Sequence, residues 1–543
     1  MAVKRLAPGL GLFALVVLVY LPATWGTSIW DDDSYLLDNP NLHDLAGLRR
    51  IWFEPRSSPQ YYPMVFSSFW LENRVWGLTF AGYHWVNVFL HALNTLLVWR
   101  ALRFVGLPAA WFAASIFGLH PVHVESVAWI TERKNVLSGF FYLASLLAYW
   151  RFSTPIAREE AGELSPNDCA RGVSWSWYAA SFFAFLAALG SKTVTCSLPA
   201  ALLLIAWWKQ GRLPKRDILA LLPFLVVGAF ASSHTAWLER YHVGARGPEW
   251  SFSLLERGII AGRALWFYAG KLLCPVNLIF IYPRWRIDPT AWWQYLPSAG
   301  IVALLVFLWS VRNRVGRGPL AGLLYFAGTL FPALGFFNVF PMLYSFVADH
   351  FQYLASLGLI VPAAVFVDSI LRRGAFGGPP TAFKAEACVL LLLGLLSGLR
   401  ESTFSNKWTL WNDTATKNPT CWMAHNNLGL LYMQRRLFVE AHSHFNEALR
   451  LYPNSLEARY NRGAIFEEQG RLAEATRELA QVLSVNPEHW KAHFVMGLVL
   501  KKQGRYDEAA EHFRSSLRLN PRHKASATEL RAVFAHVVSP LAR

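Results

Sequence analysis

Three consecutive carboxylates, Asp31, Asp32 and Asp33, follow directly after the first apolar run of the chain. Carboxylates just beyond a membrane helix can act as a general base, coordinate a divalent cation or cap the next helix. A helix cap is the simplest interpretation of the triplet taken alone. Because ionisable groups at a membrane edge are costly to desolvate, the polar residues predicted on the same side favour a functional role.

Two further polar stretches contain candidates for orienting a substrate. The first holds His120, His123 and Glu125, and the second holds Asp349 and His350. No H-E-x-x-H pattern is present, so a metal is less favoured here than hydrogen-bonded histidines or groups that position a substrate. Any metal requirement stays open at this point, and no cofactor is assigned from the residues.

Three cations are predicted on the same external side, namely Arg133, Lys134 and Lys192. Arginine offers a planar fork of donors and lysine a compact charge, and both suit a phosphate at the lipid boundary. Snorkelling side chains that anchor a span are the alternative. Anchoring would favour the cytoplasmic side, where positive charge accumulates, so phosphate binding is the preferred interpretation.

The composition indicates an integral membrane protein. Hydrophobic residues make up 54% of the 543 residues and charged residues only 16%, which excludes a disordered chain. The net charge of +16 is attributed to cytoplasmic loops, and no nucleic-acid partner is predicted. The five cysteines are scattered without a C-x-x-C pair, which indicates neither a disulfide framework nor a zinc site.

Residues 1–400 are predicted to form a bundle of about eleven spans, with a first external loop at about residues 26–82. Orientation by positive loops places the C-terminal tail outside. The segment Ile259–Ile281 is treated as interfacial, re-entrant or a paired dip, because one more span there would put Arg312–Arg317 outside. The predicted spans are Leu10–Trp25, Tyr83–Trp99, Gly106–Leu119, Val136–Trp150, Trp175–Gly190, Val194–Trp208, Ile218–Ser233, Trp292–Trp309, Pro319–Phe337, Tyr353–Ile370 and Ala385–Leu399.

The C-terminal part repeats with a period of 34 residues. Three columns keep this step, with glycine at 429, 463 and 497, alanine at 441, 475 and 509, and proline at 453, 487 and 521. This is the tetratricopeptide period, in which small residues let paired helices approach closely. The pattern predicts a linker at 401–421, three repeats at 422–521 and a capping helix or tail at 522–543.

Stacked helix pairs form a concave surface that holds extended peptides. In this register Asn426, Tyr460, Phe494 and Lys501 are predicted to face a peptide-binding groove. A purely structural array that shields the membrane domain is the alternative.

Several motifs together resemble the TMTC O-mannosyltransferases, multispanning tetratricopeptide proteins of the GT-C glycosyltransferase superfamily, in a bacterial version. The residues that carry the resemblance are Trp30-Asp31-Asp32-Asp33-Ser34-Tyr35, Asp38-Asn39-Pro40, Gly82-Tyr83-His84-Trp85-Val86-Asn87, His91-Ala92-Leu93-Asn94, the stretch from His120 to Trp129, Glu132-Arg133-Lys134 and Gly190-Ser191-Lys192. The resemblance implies an all-α fold with a GT-C-like transmembrane bundle followed by an α-solenoid of repeats. It also implies a polyprenyl-phosphate-linked sugar donor, with Asp31 or Asp32 as catalytic residue and the three cations on the leaving phosphate.

The sequence thus predicts a membrane glycosyltransferase that moves a sugar, with mannose as one candidate, to a protein Ser/Thr hydroxyl or another acceptor on the non-cytoplasmic face. A bacterial inner membrane with periplasmic repeats is the expected location. The predicted partners are the lipid-linked sugar, an acceptor held by the repeats, and membrane lipid, and a divalent metal stays open. The alternative is a non-catalytic scaffold that recruits proteins through its repeats. A transporter is disfavoured, because ionisable residues near span midpoints are few.

Overall fold

The computed structural model describes residues 2–160, 175–372 and 379–538. Within these ranges all regular structure is helical and no strand occurs, which confirms the predicted all-α fold. The chain divides into two compact units, Met1–Leu410 and Trp411–Arg543. Cys169 and the loop cations Arg171 and Arg373 lie outside the described residues, as do the side chains of Lys4, Arg5 and Arg158.

The first unit is built from long helices joined by short 3-10 turns. Its α-helices are α1 (Ala2–Val19), α2 (Leu45–Phe53), α3 (Pro63–Trp76), α4 (Phe80–Phe104), α5 (Ala110–Leu119), α6 (Val124–Ala128), α7 (Arg133–Glu160), α8 (Trp175–Ser191), α9 (Leu198–Gln210), α10 (Lys215–Leu238), α11 (Leu254–Leu273), α12 (Leu296–Val315), α13 (Gly318–Leu330), α14 (Leu357–Arg372) and α15 (Pro379–Glu401).

Three stretches of the described chain are long and apolar enough to cross a membrane, Lys215–Val243, Trp292–Val315 and Thr381–Phe404. Shorter apolar helices cover Ala7–Val19, Ala110–Leu119 and Gly318–Ala333. The full count of about eleven spans stays a prediction. In the ambiguous segment Ile259–Ile281, α11 ends at Leu273 and the chain continues to Ile281 without helix, and its place relative to the membrane stays a prediction.

The predicted first external loop folds around a hydrophobic core. Tyr35, Phe66 and Phe69 are buried there together with Ile130 from a later part of the chain. Helix α2 begins where the Asp44 carboxylate accepts the Gly47 N–H at 2.5 Å, as an N-cap should. This core fixes the start of the loop, where the acidic triplet lies, against the start of α7.

The second unit contains the repeats. Its repeats are three pairs of neighbouring helices, and a final helix follows the last pair. A side-chain atom at Gly429 or Gly497 would lie 2.6 Å from the ring of Phe445 or Phe513, which explains the glycine column. The predicted linker is largely helical, as α16 (Lys407–Lys417). The remaining helices are α17 (Trp422–Gln434), α18 (Phe438–Leu451), α19 (Leu456–Glu468), α20 (Leu472–Val485), α21 (Trp490–Lys502), α22 (Tyr506–Leu519) and α23 (Lys524–Val538).

Candidate functional site

A cavity of about 260 Å³ in the first unit gathers polar residues that are far apart in sequence. It is bordered by the acidic triplet region, the turn before α7, and the segment before α14. Side chains that line it and could do chemistry are Asp31, Tyr35, Gln60, Glu125, Glu132, Lys134 and His350. Several of the predicted external groups therefore converge on one cavity, as expected.

The backbone beside the acids is held in a rare conformation. Trp30 has a φ of +38°, a region that L-residues seldom adopt and that costs free energy. Its ring stacks on Trp129 with centroids 5.7 Å apart and meets Phe280 edge-on at 5.0 Å. A π-helical turn, Asp33–Leu37, follows. Such strain and such turns occur most often at functional sites.

The two candidate catalytic acids have different surroundings. Asp31 lines the cavity, and one of its carboxylate oxygens accepts the Thr131 hydroxyl at 2.7 Å. Asp32 is 0% exposed, and its two oxygens accept the backbone N–H groups of Ile29 at 2.8 Å and Thr131 at 3.0 Å. The geometry therefore leaves Asp31 to meet a substrate, while Asp32 ties the loop to the start of α7.

Burial raises the pKa of both carboxyl groups above the ordinary aspartate value. For Asp31 the positive charge of Lys134 opposes this rise. For Asp32 the negative charge of Asp31 adds to it, while the backbone donors oppose it. A carboxylate with a raised pKa is a stronger base, which suits the removal of a proton from a hydroxyl.

Glu132 is the centre of a buried ionic network. Lys134 Nζ lies 2.9 Å from one carboxylate oxygen, and Lys192 Nζ lies 3.4 Å from the other. Lys192 also donates to Asn135 Oδ1 at 2.7 Å, and His350 Nε2 lies 3.8 Å from Glu132. Two cations from remote segments are thus held side by side at the cavity.

The charges in this network set its pKa values. Burial acts to raise the pKa of Glu132, but His350, Lys134 and Lys192 outweigh it and hold the value at about 2. Burial lowers the pKa of Lys192 to about 8, against the attraction of Glu132. Glu132 therefore stays ionised at neutral pH, and Lys192 is a cation that can lose its proton in mildly basic solution.

Aromatic rings surround the ammonium group of Lys134. It lies 5.4 Å from the ring centroid of Trp129, 5.8 Å from that of Tyr35 and 5.9 Å from that of Tyr62. Aromatic faces stabilise a desolvated cation. They hold Lys134 in place, and because the single Glu132 carboxylate faces two ammonium groups, a net positive charge stays available to an anion.

Two of the predicted orienting residues form a pair at the cavity. His350 Nδ1 lies 2.7 Å from one oxygen of Glu125, whose other oxygen is buried and has no hydrogen-bond partner in the part of the chain that the structure describes. Asp349 lies behind them, accepts from the Tyr282 hydroxyl at 3.0 and 3.2 Å, and does not line the cavity. Burial, reinforced by the charge of Glu125, raises the pKa of Asp349 to about 7.

A second cavity of about 320 Å³ adjoins the first. The two share Gln60, Lys134, Pro341 and His350 as lining residues. Lys192 lines the second cavity, whose other walls are mainly apolar and include Val194, Ala236, Phe331, Phe337 and Phe351. Lys134 and Lys192 therefore lie where the first, polar cavity meets the second, apolar cavity.

The structure separates Arg133 from the predicted phosphate site. Its guanidinium is 0% exposed, forms a bidentate pair with Glu72 and donates to the Tyr83 carbonyl at 2.8 Å. It lines neither cavity. The physical reason is that Arg133 points about 100° around the helix from Lys134, and there Glu72 and the Tyr83 carbonyl hold its guanidinium away from the cavity.

His120 and His123 are also away from the cavity. His120 Nε2 lies 3.0 Å from the Leu272 carbonyl oxygen. His123 lies between the Phe117 carbonyl at 2.7 Å and the Ser356 hydroxyl at 3.1 Å. Both rings are buried and hydrogen-bonded within the protein, so the structure gives them a packing role in place of the predicted substrate contact.

Three residues of the site had no predicted role, namely Glu132, Asn135 and Gln60. Gln60 accepts from the Tyr35 hydroxyl at 2.7 Å and lines both cavities. An acid beside Lys134 was a usable signal for Glu132, because a buried lysine needs a partner. Within the described ranges, no group of three or more His, Cys, Asp or Glu side chains is arranged to hold a metal ion.

In the second unit, the residues predicted to face a peptide are largely engaged within the unit. Asn426 is 6% exposed and accepts from Asn461 at 2.9 Å. Lys501 is paired with Glu529 of α23 at 2.7 Å. Tyr460 and Phe494 are only partly buried and pack against the core of the repeats. Asn426 and Lys501 are therefore engaged by the neighbouring repeat and by the final helix, and a peptide-binding groove formed by the four residues stays a prediction.

Comparison with known proteins identifies the C-terminal part first. The tetratricopeptide repeat family matches residues 410–455, 426–481 and 460–524. Among solved structures, the Arabidopsis OM64 TPR domain aligns with 21% of this chain and 95% of its own, at 23% identity and a TM-score of 0.21.

Similarity also extends over the membrane unit. The protein O-mannosyl-transferase F38B6.6 of Caenorhabditis elegans is 23% identical over 463 residues, which are 82% of this chain and 62% of that protein. Tmtc3 of Drosophila melanogaster is 22% identical over 81% of this chain and 54% of its own length. TMTC3 of Mus musculus is 30% identical over 155 residues, 26% of this chain and 17% of that protein.

The chain spans less than two thirds of each of these relatives. The predicted resemblance is nevertheless confirmed, because most of the chain is similar to proteins named protein O-mannosyl-transferases and its C-terminal part carries tetratricopeptide repeats. Together with the three long apolar helices, this similarity indicates a membrane protein.

Proposed function

We propose that the protein is a membrane glycosyltransferase that transfers a sugar from a polyprenyl-phosphate donor to a hydroxyl of a protein or another acceptor. The single observation that carries the proposal is the convergence of Asp31, Lys134 and Lys192 around adjacent polar and apolar cavities. The names of the relatives favour mannose as the sugar and a protein Ser/Thr as the acceptor.

The two cavities match the two parts of such a donor. An isoprenoid chain would lie against the apolar walls of the second cavity, and the sugar would enter the first. Lys134 and Lys192 lie between them, where the phosphate must be. Glu132 holds both ammonium groups in place before the donor arrives, which lowers the cost of organising them.

In the reaction, Asp31 accepts the proton of the acceptor hydroxyl as its oxygen attacks the anomeric carbon. The bond between that carbon and the phosphate oxygen breaks, and its electron pair leaves with the lipid phosphate. The charge that develops on this oxygen is stabilised by the two lysines. The proton stays on Asp31, whose raised pKa favours holding it, until it passes to solvent.

The site is proposed to face the non-cytoplasmic side of a bacterial inner membrane, with the repeats in the periplasm and an acceptor protein presented by them. Reporter fusions at the C-terminus would test this orientation. A divalent cation near Asp31 stays a prediction, which activity measured with and without a chelator would test. The mechanism above assigns no step to a metal.

The decisive experiment measures transfer of radiolabelled mannose from polyprenyl-phosphate mannose to a Ser/Thr-rich peptide by the purified full-length protein. Asp31→Asn is expected to lower the rate at least a hundredfold, because it removes the base and leaves the shape unchanged. Asp33→Asn is the matched control. Asp33 is paired with Lys407, lies outside the cavity and should be replaceable with less than a twofold change.

Full activity of Asp31→Asn, or an equal loss in Asp33→Asn, would contradict the assignment. A non-catalytic scaffold would show no transfer with any of the three proteins and would keep its partner binding in Asp31→Asn. Thermal unfolding of each variant in detergent separates a lost base from a lost fold.

A further inference from the structure

A cavity of about 620 Å³ lies in the first unit, away from the candidate site. Its volume is within the range of ordinary ligand-binding pockets. Its walls come from α4, α7, α9, α13 and α14, with the residues before α13. Representative lining residues are Val105, Leu146, Ile205, Arg317, Tyr325 and Val365.

This cavity and the candidate site lie toward opposite ends of shared helices. In α7, Lys134 of the candidate site belongs to the first turn, whereas Leu146 of the cavity is about 18 Å further along at 1.5 Å per residue. In α14, His350 of the candidate site precedes the helix, whereas the cavity extends along the helix from Leu357 to Ser369. A ligand here would be distinct from the sugar donor.

The walls of the cavity are apolar, and two of the helices that form them pack closely. No acidic side chain is among the described residues that line the cavity. Gly322 and Gly358 allow α13 and α14 to pack backbone against backbone, since a side-chain atom at either would collide with the other's carbonyl oxygen. Small residues at such crossings are typical of helices that pack in a membrane.

Two cations stand at one edge of this cavity. The guanidinium of Arg317, a lining residue, lies against the backbone of Gly211 and 6.0 Å from the ring centroid of Trp207. Lys209 donates to the carbonyl of Val105, another lining residue, at 2.6 Å. Positive charge at the mouth of an apolar chamber is complementary to a molecule with an apolar chain and an anionic end.

Tryptophans mark this edge as the headgroup level of the membrane. Trp207 stacks on Trp309 with centroids 6.2 Å apart and planes 2° apart, and the guanidinium of Arg312 lies 4.1 Å over Trp309. Tryptophan is enriched at membrane interfaces, where arginine meets lipid phosphates. The opening of the cavity therefore lies where a phospholipid headgroup would be.

We propose that this cavity binds an anionic phospholipid, with an acyl chain between α4, α7, α9, α13 and α14 and its phosphate on Arg317. Basic pockets between membrane helices recognise anionic headgroups in this way. The lipid belongs to the leaflet opposite the candidate site. It fills the space between the helices that carry the site at their other ends, so its presence would keep those helices at their present spacing.

The test uses full-length protein purified in detergent and exchanged with phosphatidylglycerol, phosphatidylcholine or polyprenyl phosphate, followed by native mass spectrometry. Phosphatidylglycerol is expected to be retained about tenfold better than phosphatidylcholine, because the choline cation of the latter would lie beside Arg317 and Lys209 and be repelled by them. Arg317→Gln should remove this preference. Arg314→Gln is the matched control, because Arg314 is exposed, belongs to the same turn region and does not line the cavity.

A second pair of variants tests the chain-binding part. Val365→Trp fills the cavity and should reduce retention of phosphatidylglycerol at least fivefold, whereas Val367→Trp places the same ring on the outer face of α14 and should not. Equal retention of the two phospholipids would overturn the proposal, and so would retention unchanged in Arg317→Gln and Val365→Trp. Polyprenyl phosphate lost from Arg317→Gln but not from Arg314→Gln would assign the cavity to the donor and also overturn it.

Discussion

The candidate site and the repeat unit differ in how deeply their ion pairs are buried. At the site, Glu132, Lys134 and Lys192 are buried together, and each depends on the others for a partner. In the repeats, pairs such as Arg505 with Glu508 lie on the surface three residues apart on one helix. The repeats hold their shape through apolar packing, whereas the site maintains charges that packing alone would exclude. What distinguishes the candidate site is therefore that its buried charges lie beside a cavity, which the buried pair of Arg133 with Glu72 does not.

The largest expected effect concerns a buried ion pair near the site. Glu72→Gln leaves the fully buried Arg133 without its bidentate partner and should lower the free energy of unfolding by about 3–5 kcal/mol. The exposed pair of Glu447 with Arg450 is the matched control, and Glu447→Gln should change the free energy of unfolding by less than about 0.5 kcal/mol. Thermal and denaturant unfolding in detergent measure both. Similar losses in the two variants would remove the contrast between the regions.

A packing change in the repeats should have an intermediate effect. In Gly497→Ala the added methyl group lies 2.6 Å from the ring of Phe513, so overpacking of about 1–3 kcal/mol is expected. Gly463→Ala is the control in the preceding repeat, where the nearest atom is 3.1 Å away on the flexible side chain of Leu479 and the helix gains about 1 kcal/mol of propensity. Hydrogen exchange of α21 and α22 in the whole protein would report the difference. Equal protection in both variants would show that the glycine column is not a packing requirement.

Lowering the pH is expected to reduce the stability of the repeats by a smaller amount. The Nδ1 atoms of His425 and His444 lie 3.1 Å apart, and those of His493 and His512 lie 2.9 Å apart. Each of these contacts has room for one proton between the two nitrogen atoms. Burial and the charge of His493 lower the pKa of His512 to about 4.

A histidine whose pKa is lowered on folding stabilises the fold above its unfolded pKa, and this stability is lost as the pH falls from about 6.5 toward 4. Because His512 is partly exposed, the loss is on the order of 1–2 kcal/mol after screening. His512→Asn should abolish the acid-induced rise in hydrogen exchange of α21 and α22. A rise of the same size in that variant would assign it to other groups.

The repeats were largely predictable from sequence because one period determines every helix in them. Glycine, alanine and proline return every 34 residues, and the alanine column is fully buried in all three repeats. The period does not reveal that Asn461 and Glu529 engage Asn426 and Lys501, two of the residues predicted to face a peptide. Contacts between repeats depend on side chains that the shared columns do not include.

The site was predictable in its residue types but not in its pairing. Hydropathy indicated that acids and cations gather on one side, and the structure brings Asp31, Lys134 and His350 to one cavity. Hydropathy could not indicate that Arg133 faces Glu72, because this depends on the residue at which α7 begins and on the direction in which its first side chains point. Nor could it distinguish Asp31 from Asp32, whose roles are separated by the φ of Trp30 and the backbone donors of Ile29 and Thr131.

The central claim is that Lys134 and Lys192, 58 residues apart in sequence, act on the same phosphate. A double-mutant cycle with Lys134→Gln, Lys192→Gln and the combined variant, titrated with polyprenyl phosphate, tests it directly. Each single change is expected to weaken binding about tenfold, and the two together should be non-additive by about 0.5–3 kcal/mol. Strict additivity, or binding that is indifferent to both lysines, would contradict a shared phosphate site.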